Sequence, residues 1–194
     1  MKKSNDLFPT NKILKRKDKE NLLKQRGKVI WLTGLSGSGK TTIAIALEKK
    51  LAAQGFLTQI IDADNVRTGI NNDLGFSEKD RTENIRRVAE LAKLFLNCGV
   101  ITICCFISPS EKMRAMAKTI IGTKDFWEVY VNAPLDVCEQ RDVKGLYRKA
   151  KKGEIKKFTG ISDLFEIPKK PDVEIRTDEM NVAKCVEKIL KTLS

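Results

Sequence analysis

The chain contains no histidine in 194 residues. That removes an imidazole base, an imidazole nucleophile and the commonest metal ligand, and leaves any chemistry to carboxylates, hydroxyls and lysines. Cysteine is sparse and odd in number: Cys98, Cys104, Cys105, Cys138 and Cys185, with no Cys-x-x-Cys. A disulfide framework and a thiolate metal centre are therefore not expected, and the five read as reduced thiols of a cytoplasmic protein. Aromatic residues make up only 6%, so a phenylalanine in a polar loop stands out. No apolar run approaches the ~20 residues of a membrane span. Met1 to Glu20 is lysine-rich and lacks the apolar segment of a secretory leader. No membrane partner is expected.

Positive charge is in excess. Lysine and arginine number 37 against 25 acidic residues, a formal charge of +12. Such a balance suits nucleic acid or small polyanionic substrates. Much of it lies in Lys12 to Lys24 and in Lys144 to Lys157. The first run reads as a solvated helix or tail. Residues 1–25 are taken as a basic N-terminal extension, and 26–194 as one domain, a size that supports a single core.

The most specific signal is Gly34-Leu35-Ser36-Gly37-Ser38-Gly39-Lys40-Thr41-Thr42, directly after the apolar run Val29-Ile30-Trp31-Leu32-Thr33. A strand, a glycine-rich loop, Lys-Thr and a helix form a phosphate-cradling P-loop. Glycines let backbone N–H groups turn inward around phosphate oxygens, and the following helix adds its positive end. Lys40 reaches the terminal phosphates of ATP, and the Thr41 hydroxyl can ligate Mg²⁺. The bland alternative is a glycine-rich turn without ligand.

Strand and helix patterns alternate along the chain. Strands are expected at Lys28 to Thr33, Leu57 to Asp62, Val100 to Phe106, Trp127 to Val131 and Val173 to Arg176. Helices are expected at Lys40 to Ala53, after a capping box at Ser77-x-x-Asp80, at Glu111 to Ile121, at Leu135 to Arg141 and at Asn181 to Leu193. The second of these places Ile85, Val88, Ala89, Ala92 and Phe95 on one stripe. This order implies an α/β P-loop NTPase fold: a doubly wound, parallel five-stranded sheet with helices on both faces. Ligands in such sheets lie at the carboxyl ends of the strands. The long basic stretch Gln140 to Gly160 stands where a small kinase carries a lid.

Asp62 and Asp64 end the second strand beside the loop. They can hold Mg²⁺ and accept a hydrogen bond from an attacking hydroxyl, or simply cap a helix. Arg67, Arg81 and Arg86 or Arg87 follow; guanidinium forks suit sulfate and phosphate oxygens, with surface ion pairing as the alternative. Phe76 and Phe158 sit in polar, glycine-flanked loops and could stack on a base, with core packing as the alternative.

Together these blocks resemble the adenylyl-sulfate kinase family: Asp62-Ala63-Asp64-Asn65-Val66-Arg67, Leu74-Gly75-Phe76, Asp80-Arg81, Asn84-Ile85-Arg86-Arg87, Phe106-Ile107-Ser108-Pro109, Cys138 to Asp142, Lys144 to Tyr147 and Gly153 to Gly160. The resemblance runs in order from about Lys28 to the C-terminus. It implies transfer of the γ-phosphoryl group of ATP to the 3′-hydroxyl of adenosine 5′-phosphosulfate in sulfate assimilation. It implies Lys40, Asp62, Asp64 and Ser108 as catalytic residues, with Asp64 before Asp62 as the group orienting the hydroxyl, and Ser108 as the family's phosphoserine. Thr41 and Asp62 would hold Mg²⁺. Arg67, Arg81 and Asn84 would grip phosphosulfate and ribose. Phe76 and Phe158 would sandwich the adenine, and Ile107, Ser108, Lys144 and Leu146 would line the pocket. Arg141 would lie near the ATP adenine. Members are commonly homodimers. An N-cap role is the alternative for Ser108. Ala63 replaces a common family glycine, tolerable only at negative φ. Two rivals remain: a P-loop kinase for another small molecule, and a nucleotide-gated nucleic-acid module, which lacks a reading helix or aromatic-interleaved basic strand. No nucleic-acid partner is expected.

Overall fold

In the computed structural model, residues 8, 10 and 12–193 are described. Five strands, β1 (Lys28–Thr33), β2 (Thr58–Asp62), β3 (Ile101–Cys105), β4 (Phe126–Asn132) and β5 (Val173–Arg176), form one sheet in the order β2-β3-β1-β4-β5. All four pairings are parallel. Parallel neighbours require crossovers, and the crossovers are helices. The strands match the expected positions to within a residue; β2 begins one residue later, β3 is a residue shorter at each end and β4 a residue longer at each end.

The central strand shows why both faces must be covered. Side chains alternate across a strand. Val29 and Trp31 point into a core built with α4 (Glu78–Asn97) and α5 (Glu111–Ile121). Ile30 and Leu32 point into the opposite core, built with α2 (Lys40–Ala53) and α8 (Val182–Leu193). All four are completely buried. A strand wet on one face would have read as alternation, whereas this one reads as a continuous apolar run.

Helix starts follow local hydrogen bonding. Ser77 Oγ accepts from Asp80 N at 3.1 Å and donates to the Asp80 carboxylate at 2.7 Å, so the capping motif opens α4 as expected. The buried stripe of α4 is Ile85, Val88, Ala89, Ala92 and Leu96; Phe95 packs only at its margin. α5 is capped by Ser110, whose Oγ accepts from Met113 N at 3.3 Å. The cap role considered for Ser108 thus belongs to Ser110, two residues on. Two short helices, α3 (Ala63–Thr68) and α7 (Leu146–Lys151), join the expected α6 (Leu135–Arg141). α7 lies inside the basic stretch and brings Tyr147 and Ala150 into a third apolar cluster with Ala133, Cys138 and Phe158.

The basic run near the N-terminus forms α1 (Arg16–Leu23), solvated along most of its surface and docked by two polar residues. Arg16 grips Asp125 with both Nη atoms, at 2.7 and 2.9 Å, and donates to Gly27 O at 2.9 Å. Gln25 is only 7% exposed. Its Nε2 donates to Leu57 O and Gly99 O, at 3.0 and 2.7 Å, and its Oε1 accepts from Leu57 N at 2.8 Å. These partners precede β1 to β4, so the docking lies at the amino edge of the sheet. Among the described residues no helix is long and apolar enough to cross a membrane, and all five cysteines are free, with only Cys98 exposed.

Replacing Gln25 with leucine would orphan the Leu57 amide and the Gly99 carbonyl in a buried setting, while Leu57 O would keep its bond from Ile101 N. We expect Gln25→Leu to lower unfolding stability by about 2–4 kcal/mol, read by urea denaturation, with nucleotide binding unchanged.

Candidate active site

The loop between β1 and α2 is built from positions that exclude side chains. Gly34 adopts φ +154°, and a Cβ there would lie 2.3 Å from Val131 O. Gly37 adopts φ +75°, and its Cβ would lie 2.8 Å from Cys138 O. Only glycine fits such approaches. Three successive loop carbonyls are tied outward: Ser36 O accepts from Tyr147 Oη at 2.9 Å, Gly37 O from Arg141 Nη1 at 3.3 Å, and Ser38 O from Thr177 Oγ1 at 2.8 Å. With the carbonyls held outside, the amides are left for an anion inside. Ser38 Oγ is buried without a protein partner.

Lys40 Nζ donates to Gly34 O at 2.9 Å and Leu35 O at 2.7 Å. Burial pushes its pKa down from 10.5 to about 8. The ammonium is therefore poised for a counter-charge that would restore its ordinary value.

Next to the lysine, Thr41 Oγ1 donates to Asp62 Oδ2 at 2.9 Å, and Asp62 Oδ1 accepts from Asp64 N at 3.0 Å. Asp62 therefore caps α3 and faces the loop at once; the two uses weighed for it coexist. Among the described residues no group of three or more acidic or cysteine side chains could cage a metal. A hydroxyl and one carboxylate, completed by phosphate oxygens, nonetheless fit Mg²⁺, which keeps few protein ligands. Ala63 is helical and outside the left-handed region, so its methyl group is tolerated. Asp64, exposed in the first turn of α3, pairs with Lys144 of the basic stretch.

Beyond the aspartates lie the arginines. Arg67 Nη1 donates to Leu74 O and Gly75 O, at 3.1 and 3.0 Å, and its guanidinium sits 4.3 Å from the centre of the Phe76 ring. Arg81 donates to Phe76 O, Thr159 Oγ1 and Lys157 O, at 3.0, 2.7 and 2.7 Å, so it bridges α4 and the basic stretch. Burial, and then the like charge of Arg81, lowers the Arg67 pKa. Two guanidinium groups that repel each other are a natural seat for an anion. Arg86 and Arg87 instead grip Glu83, and Arg87 also Asp73, so the surface-pairing alternative holds for both. Asn84 is buried, its Oδ1 accepting from Asn71 Nδ2 at 3.0 Å.

The two phenylalanines occupy different surroundings. Phe76 is 64% exposed, whereas Phe158 is 8% exposed and meets Tyr147 edge-on at 4.9 Å. Core packing, the alternative to base stacking, thus holds for Phe158 and not for Phe76. Polar neighbours in the sequence do not fix a side chain's direction, and here a turn closed by Gly160 N on Asp163 O turns Phe158 inward.

Ser108 is 2% exposed. Its Oγ accepts from Trp31 Nε1 at 3.1 Å and donates to Thr33 Oγ1 at 2.8 Å; Thr33 in turn donates to Ile107 O at 2.7 Å. None of these groups is a base that could activate a serine nucleophile. Ile107 and Leu146 are half-buried, and Lys144 is exposed. Arg141 lies against the loop, with Nη2 also donating to Thr177 O at 2.8 Å. Thr177 and Tyr147 were not anticipated. Thr177 directly follows β5, so the carboxyl-end rule applied to the fifth strand would have found it; Tyr147 carried no signal of its own.

Comparison with known proteins agrees with this geometry. A family model described as adenylylsulphate kinase matches residues 26–176. An adenylyl-sulfate kinase of Bacteroides fragilis is 56% identical over 192 residues, 98% of this chain and 95% of that protein. One from Clostridium acetobutylicum is 53% identical, covering 99% of this chain and 96% of that protein. Among solved structures, the Mycobacterium tuberculosis APS kinase CysC in complex with AMPPNP and APS superposes with a TM-score of 0.84 at 43% identity, over 87% of this chain and 98% of that one.

The depressed Lys40 has a measurable sign. Below pH 8 it is already charged; near pH 8 about half the population is neutral. Binding of a Mg²⁺-loaded nucleoside triphosphate at pH 8 should therefore take up roughly half a proton, and at pH 6.5 almost none through this group. Titration calorimetry in buffers of differing ionisation enthalpy reads this directly; equal uptake at both pH values refutes it.

Proposed function

The chain belongs to the adenylylsulphate kinase family, and from that premise we propose how it acts: it transfers the γ-phosphoryl group of ATP to the 3′-hydroxyl of adenosine 5′-phosphosulfate, yielding ADP and 3′-phosphoadenylyl sulfate. The observation that carries this reading is a continuous line of contacts from donor to acceptor side. Thr41 touches Asp62, Asp62 touches Asp64, and Asp64 touches Lys144.

Phosphoryl transfer has a loose transition state with charge on the equatorial oxygens, so the protein's work is placement and neutralisation. The loop amides and Lys40 hold the β- and γ-phosphates and stabilise the charge that develops there. Thr41 and Asp62 would hold Mg²⁺, which would supply further positive charge near the transferring group. Asp64 orients the acceptor hydroxyl and receives its proton, with the Lys144 ammonium paired beside it. Arg67 and Arg81 hold the phosphosulfate between them. Phe76, backed on one side by Arg67, offers its other face to the adenine. Phe158 supports the pocket from behind, packed on Tyr147. Residues 140–160 close over the two nucleotides as a basic lid, tied back by Arg81.

Transfer is direct. The Ser108 hydroxyl is spent on Trp31 and Thr33, and a phosphoserine there would have to displace both bonds in a buried site.

Three outcomes test this reading. Incubation with ATP, Mg²⁺ and adenosine 5′-phosphosulfate should give a product heavier by one phosphoryl group, with no phosphate on Ser108 by peptide mass spectrometry. Asp64→Asn should lower kcat by about 10²–10⁴ while leaving ATP affinity within about threefold, as expected for loss of a general base. Phe76→Ala should raise the acceptor KM about tenfold or more, the size of one lost base stack.

A further inference from the structure

Behind the Ile107–Ser108 wall lies an ion pair that the mechanism above does not use. The side chains of Arg114 in α5 and Glu128 in β4 are 5% and 13% exposed, with Nε 3.0 Å from Oε1. The same guanidinium donates from Nη1 to the Ser108 carbonyl at 2.9 Å. Ser108 stands at φ +39°, a conformation rare for a residue with a side chain. A serine stays in that conformation only when its surroundings over-determine it. Here they do, since Arg114 holds the carbonyl while Trp31 and Thr33 hold the hydroxyl. A strap after the basic stretch closes the same loop: Glu166 N donates to Pro109 O at 2.8 Å, and its carboxylate accepts from Glu111 N at 2.7 Å.

Burial opposes both charges, drawing the Arg114 pKa down and the Glu128 pKa up. An apolar pair of similar volume would fold as well or better. Stability is therefore a weak reason for the pair. What it provides is a planar guanidinium that donates to the Ser108 carbonyl while lying in ion-pair contact with Glu128, an arrangement an ammonium cannot reproduce in the same geometry.

We propose that Arg114, anchored by Glu128, is a positioning residue that fixes Ser108 in its left-handed conformation and so shapes the acceptor side of the cleft. This rests on the reading of Ile107 and Ser108 as acceptor-pocket residues. The phosphate loop is held by other residues, Tyr147, Arg141 and Thr177, so the effect is expected to fall on one substrate.

Two variants test it. Arg114→Lys keeps a charge beside Glu128 and loses the fork. The double variant Arg114→Met with Glu128→Leu removes both charges, so a failure to fold does not obscure the result. Each is expected to raise the KM for adenosine 5′-phosphosulfate about tenfold, with the KM for ATP within about twofold, because misplacing a pocket wall weakens the substrate that touches it. In a Trp127→Phe background the Trp31 emission should shift as its indole N–H loses Ser108 Oγ. A purely structural pair would raise both KM values together or neither, leave Trp31 unchanged in the stable double variant, and overturn the proposal. Wild-type protein inactive on the acceptor would overturn the functional reading as well; an active wild type with no KM split overturns this inference alone.

Discussion

A lysine ammonium held inside a loop of its own backbone is the constraint on which this cleft depends. Lys40 is half-buried and held by the carbonyls of Gly34 and Leu35. Such a charge is tolerable only in a loop that turns back tightly, and the turn is possible only where glycines allow backbone to approach backbone. The carbonyls of Ser36, Gly37 and Ser38 are then drawn outward by Tyr147, Arg141 and Thr177. Those three residues come from the basic stretch, from α6 and from the end of β5. The loop is thus shaped by the elements around it as much as by its own sequence.

The sheet separates two tasks by its ends. At the amino edge, Arg16 and Gln25 satisfy backbone and carboxylate groups and fasten α1. At the carboxyl edge, polar groups are only partly satisfied by one another and face the cleft. Cores on both faces, centred on Trp31 on one side and Ile30 and Leu32 on the other, hold the edges apart.

Much of this was legible because its causes are local. The phosphate loop is a run of nine residues whose spacing is its chemistry, and β1 and β3 announce themselves as apolar runs between helices. Asp62 and Asp64 were found from their place at the end of β2. Less legible were features decided by contacts distant in the chain. α3 and α7 are too short for a periodic stripe. Phe158 sits between Lys157 and Thr159 and is still turned inward, because its direction is set by the 158–163 turn and by Tyr147. The cap of α5 at Ser110 rather than Ser108 depends on which hydroxyl Trp31 and Thr33 claim, and they lie on another strand. Arg114 and Glu128 pair between α5 and β4, which no sequence spacing brings together.

Tyr147 reaches two neighbourhoods with one side chain: its hydroxyl holds the Ser36 carbonyl, and its ring abuts Phe158. On the proposed reading, a push on Phe158 from the acceptor side would be delivered through this ring to the phosphate loop. Linkage makes that traffic reciprocal, since whatever factor one occupant imposes on the affinity of the second must be returned unchanged. A single phenol ring would then make the two half-sites thermodynamically aware of each other.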